Sequence, residues 1–219
     1  MPDVGGGTSP RVADEYAVRA WLHAASSGTV AEEIESLYLA LSGDVVRRSP
    51  ICRTSGRCCR FESWGHRLYV TGLETAYAWC RLDASCRPGP GEVQSARARG
   101  GCPFQREVLC GVHAIRPLGC RVYYCDQTAQ SWQEDTYERY MRSVRDIHDR
   151  SGLPYLYAEW RAMLAVFAEI AADAPTVVSV PGGLSPSIGA GPSAVVRGVG
   201  LTIEGEAGGA ERPADEGRT

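Results

Sequence analysis

All nine cysteines of this chain fall between residues 52 and 125: Cys52, Cys58, Cys59, Cys80, Cys86, Cys102, Cys110, Cys120 and Cys125. Thiolates are the soft donors that hold zinc and iron–sulfur clusters, so this clustering points first to metal chemistry. Two runs concentrate the signal. One is Cys52-Arg-Thr-Ser-Gly-Arg-Cys-Cys59; the other spans Cys110 to Cys125 and contains Arg116-Pro-Leu-Gly-Cys120-Arg-Val-Tyr-Tyr-Cys125. Short spacings put several thiolates on tight loops, and Ser55-Gly56 supplies the turn in the first run. The expected ligands are Cys52, Cys58, Cys59, Cys102, Cys110, Cys120 and Cys125. Side chains of the neighbours Cys58 and Cys59 diverge, which suits a polynuclear centre or two nearby sites better than one tetrahedral ion. Cys80 and Cys86 read either as small buried hydrophobes or as further ligands.

The residues around these thiols extend the same chemistry. Arg57, Arg60, Arg116 and Arg121 stand beside the cysteines, where guanidinium groups could offset the negative charge of a thiolate-held centre and favour thiol ionisation. Pro103 and Pro117 stiffen the approaches and lower the entropy lost on ordering a ligand loop. His66 and His113 are candidate nitrogen ligands; Ser55, Tyr123 and Tyr124 are weaker oxygen donors. His23 and His148 sit on expected helices outside the cluster and read as structural. The chain carries no P-loop, dinucleotide fingerprint, nucleophile elbow or His-Glu-x-x-His segment.

Helices must position these groups. Ser9-Pro10 reads as a helix start, with a helix from about Arg11 to Ser26. Thr29-Val-Ala-Glu32 reads as a capping box opening a second helix, striped by Val30, Ile34, Leu37, Tyr38 and Leu41 and closed by Gly43-Asp44. A short helix is expected over Leu73–Leu82. Ser131-Trp-Gln-Glu134 reads as a capping box for a helix reaching Arg150. A last helix is expected from Pro154 to Asp173, striped by Leu156, Trp160, Met163, Leu164, Phe167 and Ile170. The organisation read from this is a disordered stretch 1–9, one domain over 10–174 and a flexible Gly/Pro-rich tail over 175–219, where residues 177–180 could add a strand. Within the domain, 10–48 is a helical hairpin, 49–128 the cysteine region and 129–174 the C-terminal helices. The expected fold class is mainly α: a small helical domain around an irregular, loop-rich, cysteine-ligated metal core.

Composition narrows the function. A formal charge of −3 and a pI near 5.8 give no electrostatic case for nucleic acid. The best apolar run, Met163 to Ala172, is short and contains Glu169, so no membrane span is expected. The first ten residues lack a signal-peptide pattern, and a cytoplasmic location follows as an expectation. In a reducing compartment clustered thiols serve as ligands or redox groups more often than as disulfides, and an odd cysteine count argues the same way.

The segment 52–125 resembles the YkgJ-like cysteine-cluster family, also described as zinc- or iron-chelating domains. The resemblance is carried by Cys52, Gly56, Cys58 and Cys59, then Cys102-Pro-Phe, Cys110-Gly-Val-His and Arg116-Pro-Leu-Gly-Cys120-Arg-Val-Tyr-Tyr-Cys125. This chain has Ser55 where the family pattern has a cysteine. Cys80, Cys86, a serine oxygen or water could complete the set, or the position could stay open for a substrate. The resemblance implies metal or iron–sulfur binding, and a related segment in flagellin lysine-N-methylases keeps an enzymatic reading in view. The reading is an iron–sulfur protein with a redox, electron-transfer or metal-handling role. Its alternatives are a structural zinc module that binds a protein partner and a group-transfer metalloenzyme with an open position near Ser55.

Overall fold

The structure, a computed structural model, describes residues 13–177. Its centre is one short helix, α3 (Gly72–Cys80), in which all nine residues are buried. The segment can be buried on every side because its one charged residue, Glu74, is fully hydrogen-bonded. Glu74 Oε2 accepts from the Thr71 amide (2.9 Å) and hydroxyl (3.0 Å), while the Thr71 hydroxyl accepts from the Glu74 amide, a reciprocal cap.

Around α3 stand α1 (Glu15–Ser26), α2 (Thr29–Arg48) and α7 (Trp160–Ile170). The α1–α3 approach is close because Gly72 has no side chain. A Cβ there would lie 2.4 Å from the ring of Trp21, which is itself fully buried. Trp21, Trp79 and Phe167 form the aromatic centre, with Trp21 and Phe167 stacked and Trp79 tilted against Phe167. The indole N–H groups of Trp21 and Trp79 donate to the carbonyls of Pro154 (2.7 Å) and Ala171 (2.9 Å), so neither polar edge is stranded.

Two three-residue strands, β1 (Tyr69–Thr71) and β4 (Tyr157–Glu159), pair antiparallel with Tyr69 opposite Glu159 and Thr71 opposite Tyr157. Each runs straight into a helix whose cap is the strand's last residue: Thr71 for α3 and Glu159 for α7. The ladder thus aligns two helix starts. A second ribbon, β2 (Gln105–Arg106) with β3 (Leu109–Cys110), turns through Glu107 at φ +53°. The remaining helices are α4 (Pro90–Ala98), α5 (Leu118–Val122) and α6 (Gln130–Arg150).

The mainly helical class expected from sequence is what the structure has. Several boundaries differ. The Ser9-Pro10 start lies outside the described residues; α1 itself begins at Glu15 with Asp14 as its N-cap, accepting from the Ala17 amide at 2.8 Å. Helix α2 does not stop at Gly43-Asp44. It continues to Arg48 because Asp44 is anchored across to α6, accepting from the Tyr140 hydroxyl at 2.8 Å and the Arg139 guanidinium at 2.5 Å. Neither expected capping box, Thr29–Glu32 or Ser131–Glu134, forms. Gly28 is the α2 N-cap, and a turn at Gln127–Ala129, capped by Asp126, leads directly into α6. Residues placed at the start of the last helix form β4 instead, because β1 offers them a partner. Helix α4 was not expected; Pro90 at its first turn and the Glu92 carboxylate on the Gly89 amide (2.9 Å) are its start signals. Of the expected 177–180 strand only Val177 is described, and its amide donates to the Cys80 carbonyl at 2.7 Å. Among the described residues no helix is long and apolar enough to cross a membrane.

Gly72→Ala should therefore lower unfolding stability by about 2 kcal/mol, the cost of overpacking against a ring with nowhere to move. Urea denaturation followed by tryptophan fluorescence measures it, and a loss under about 0.5 kcal/mol would contradict the packing described.

Candidate functional site

The first cysteine run folds as a loop ending in a single helical turn, Arg57–Cys59. Gly56 enters that turn at φ +68°, and a Cβ there would meet the Gln105 amide at 2.9 Å and Val108 Cα at 3.1 Å, so the loop lies directly on the β2–β3 ribbon. Two backbone hydrogen bonds strap it to the next cysteine segment: the Cys102 amide donates to the Cys59 carbonyl (2.9 Å), and the Glu62 amide to the Gly100 carbonyl (3.1 Å). Cys102 leads into β2, and Cys110 ends β3. The chain then reaches Pro117 and α5, which carries Cys120. The α5 start is fixed from below, because the Leu118 amide donates to Glu74 Oε1 at 2.9 Å.

Four thiols meet as a result. Cys59, buried, lies near Cys58, Cys102 and Cys110. These neighbours and burial push the Cys59 thiol far up, while Cys58 and Cys110 are eased toward ionisation. Cys58 falls to about 6, chiefly through Cys59 and also through the Arg116 guanidinium. Cys110 falls to about 7 through Cys59, the Val112 amide and Arg116. Cys120, only partly exposed and surrounded by protein, is pushed up by burial and by the nearby Cys102, Cys110 and Cys58. The Nε atom of Arg116 is buried without a hydrogen-bond partner beside this group, so its charge faces the sulfurs uncompensated by any carboxylate contact.

The other candidates lie elsewhere. Cys125 is half-buried, 4.0 Å from the Ser55 hydroxyl, and Cys52 is exposed on the preceding loop. Cys80 is buried in α3 with its thiol toward the Leu22 carbonyl (3.8 Å) and is raised by burial; Cys86 is exposed. Arg57 lies 3.9 Å over the Trp64 ring, and Arg60 is exposed. Arg121 is occupied with structure: it donates to the carbonyls of Arg116 and Ala114, both at 2.7 Å, and packs 4.0 Å over the Tyr38 ring. His66 stacks on Tyr123 with Nε2 3.4 Å from the Cys58 carbonyl and a buried, partnerless Nδ1, whereas His113 is exposed. His148 is buried against the Pro154 carbonyl at 3.0 Å, and His23 is exposed.

Sequence reasoning passed over the group that holds the cysteine loop in place. Arg161 on α7, 3% exposed, grips Glu62 through both terminal nitrogens at 3.1 and 2.8 Å and sends Nε to Glu159 at 2.7 Å. Its guanidinium also lies 5.2 Å over Phe61, two residues past Cys59. The signal was a lone arginine in an apolar stripe, legible only once the opposing acids are located.

Among the described residues no group of three or more His, Cys, Asp or Glu side chains stands in the arrangement of a metal site. No family model, curated protein or solved structure matches this chain.

Two outcomes follow. In metal-free, reduced protein, iodoacetamide should label Cys58 well before Cys59 or Cys80, with a half-maximal rate near pH 6, read by mass spectrometry of peptides. Arg161→Met should cost about 2–3 kcal/mol at pH 7, less than a fully buried pair because Glu62 is half-exposed. Arg161 holds the Glu62 carboxyl below its ordinary 4.5, so that stabilisation is complete above pH 4.5 and fades as pH falls through the folded value. Denaturation midpoints of the variant and the parent should accordingly converge in acid.

Proposed function

We propose that the chain is a thiolate metal-binding protein, with Cys58, Cys59, Cys102, Cys110 and Cys120 supplying the donors. The supporting observation is the gathering of three thiols near the buried Cys59, two of them from a segment distant in sequence. The donors fit a soft metal in kind and in number, and the Arg116 guanidinium suits a site of net negative charge. Seating a centre requires thiol protons to leave, so uptake should release protons. A fifth thiol, Cys120, beside these four favours an iron–sulfur centre over a four-thiolate zinc ion. Such a centre supplies one-electron chemistry or metal transfer; the protein's part is to gather the thiols, shield Cys59 and set the Arg116 charge against them. A reducing cytoplasmic location and membership of the YkgJ-like family belong to the same reading.

Anaerobic purification followed by iron, zinc and acid-labile sulfide analysis tests it. Iron with matching sulfide is expected, and Cys59→Ser should remove most of the metal while Cys86→Ser keeps it. Zinc without sulfide would replace the iron–sulfur reading with the zinc module. A metal-free protein that also fails to take up either metal on reconstitution would end the proposal.

A further inference from the structure

Beside Tyr123 lies a cleft of about 530 Å³ that none of the five proposed donors lines. Its walls include Trp64, Tyr123, Tyr124 and Tyr137, and its acidic wall is Glu134 on α6. The one hydrogen-bond partner of Glu134 among the described residues is the Gln130 amide at 3.4 Å, a weak contact that leaves the carboxylate available. Asp126 adds a second carboxylate at the rim; its oxygens are taken by the Ile51 and Thr128 amides and the Thr128 hydroxyl, and the Arg48 guanidinium offsets part of its charge. The single cation in the lining, Arg57, lies flat on the Trp64 ring at 3.9 Å. The chain has thus put a guanidinium of its own on the aromatic face at the mouth of a cleft that is otherwise acidic.

We propose that this cleft binds an organic cation, an amine or a guanidine, with its charge against Glu134 and its body against Trp64 and the tyrosines. Aromatic faces attract cations and an unpaired carboxylate orients them, whereas two carboxylates in the lining disfavour phosphate and carboxylate ligands. Arg57 is the internal competitor for the Trp64 face, so displacing it is part of binding. The inference does not rest on the metal reading: of the cysteines only Cys125 lines this cleft, and it is not among the five proposed donors.

Isothermal titration and the indole N–H signal of Trp64 test it on the full chain. The probes are n-butylguanidine, as a free guanidine, and an acetylated, amidated Gly-Arg-Gly peptide, as a side-chain guanidine. Each is compared with its uncharged urea counterpart, the carbamoyl analogue and the citrulline peptide. The charged probe of at least one pair should bind with a shift at Trp64, and whichever binds more tightly identifies the source. Glu134→Gln and Trp64→Ala, both at exposed positions, should each weaken binding about threefold or more, and Arg57→Gln should tighten it. Equal binding of charged and urea probes, no binding of either charged probe, an unchanged affinity in Glu134→Gln or a weaker affinity in Arg57→Gln would each overturn the proposal.

Discussion

The carboxylate of Glu74 is the constraint on which the rest is built. It is fully buried, burial pushes its pKa up, and it answers with hydrogen bonds to three separate parts of the chain. Thr71 ties it to the start of α3, Leu118 to the start of α5, and Tyr38, at 3.4 Å, to the middle of α2. A buried charge is tolerated only where such partners are complete, so the elements that meet there are locked together. The position of Cys120 follows from that lock, being two residues beyond Leu118 on a helix too short to hold itself.

Helical periodicity carried much of the fold. Ile34, Leu37, Tyr38 and Leu41 line the buried side of α2, and Trp160, Met163, Leu164 and Phe167 that of α7. What periodicity could not carry was set by tertiary partners. Gly43 and Asp44 look like a stop signal until α6 supplies Tyr140 and Arg139. Residues 157–159 look helical until β1 lies beside them. Tyr16 is exposed, while Trp21, the ring that Gly72 admits, is the anchor of α1.

The candidate site was legible in composition and illegible in geometry. Clustered thiols announce that sulfur matters, yet spacing alone does not separate Cys58, Cys59, Cys102 and Cys110, which gather, from Cys52, which lies exposed on its loop. Nor does adjacency in sequence tell Arg116, whose charge faces sulfur, from Arg121, which is used up on carbonyls and Tyr38. Those distinctions are made by the strap between residues 59 and 102 and by the salt bridge of Arg161, both long-range.

That strap has a bearing on order of events. The Cys59 carbonyl and the Cys102 amide are joined by main chain alone, and Arg161 reinforces the join from α7, so the two cysteine segments are held together by peptide and guanidinium hydrogen bonds. The entropy of closing the intervening loop is met during folding. A guest reaching this place would meet a vestibule already assembled, and its arrival would rearrange protons more than it would rearrange the chain.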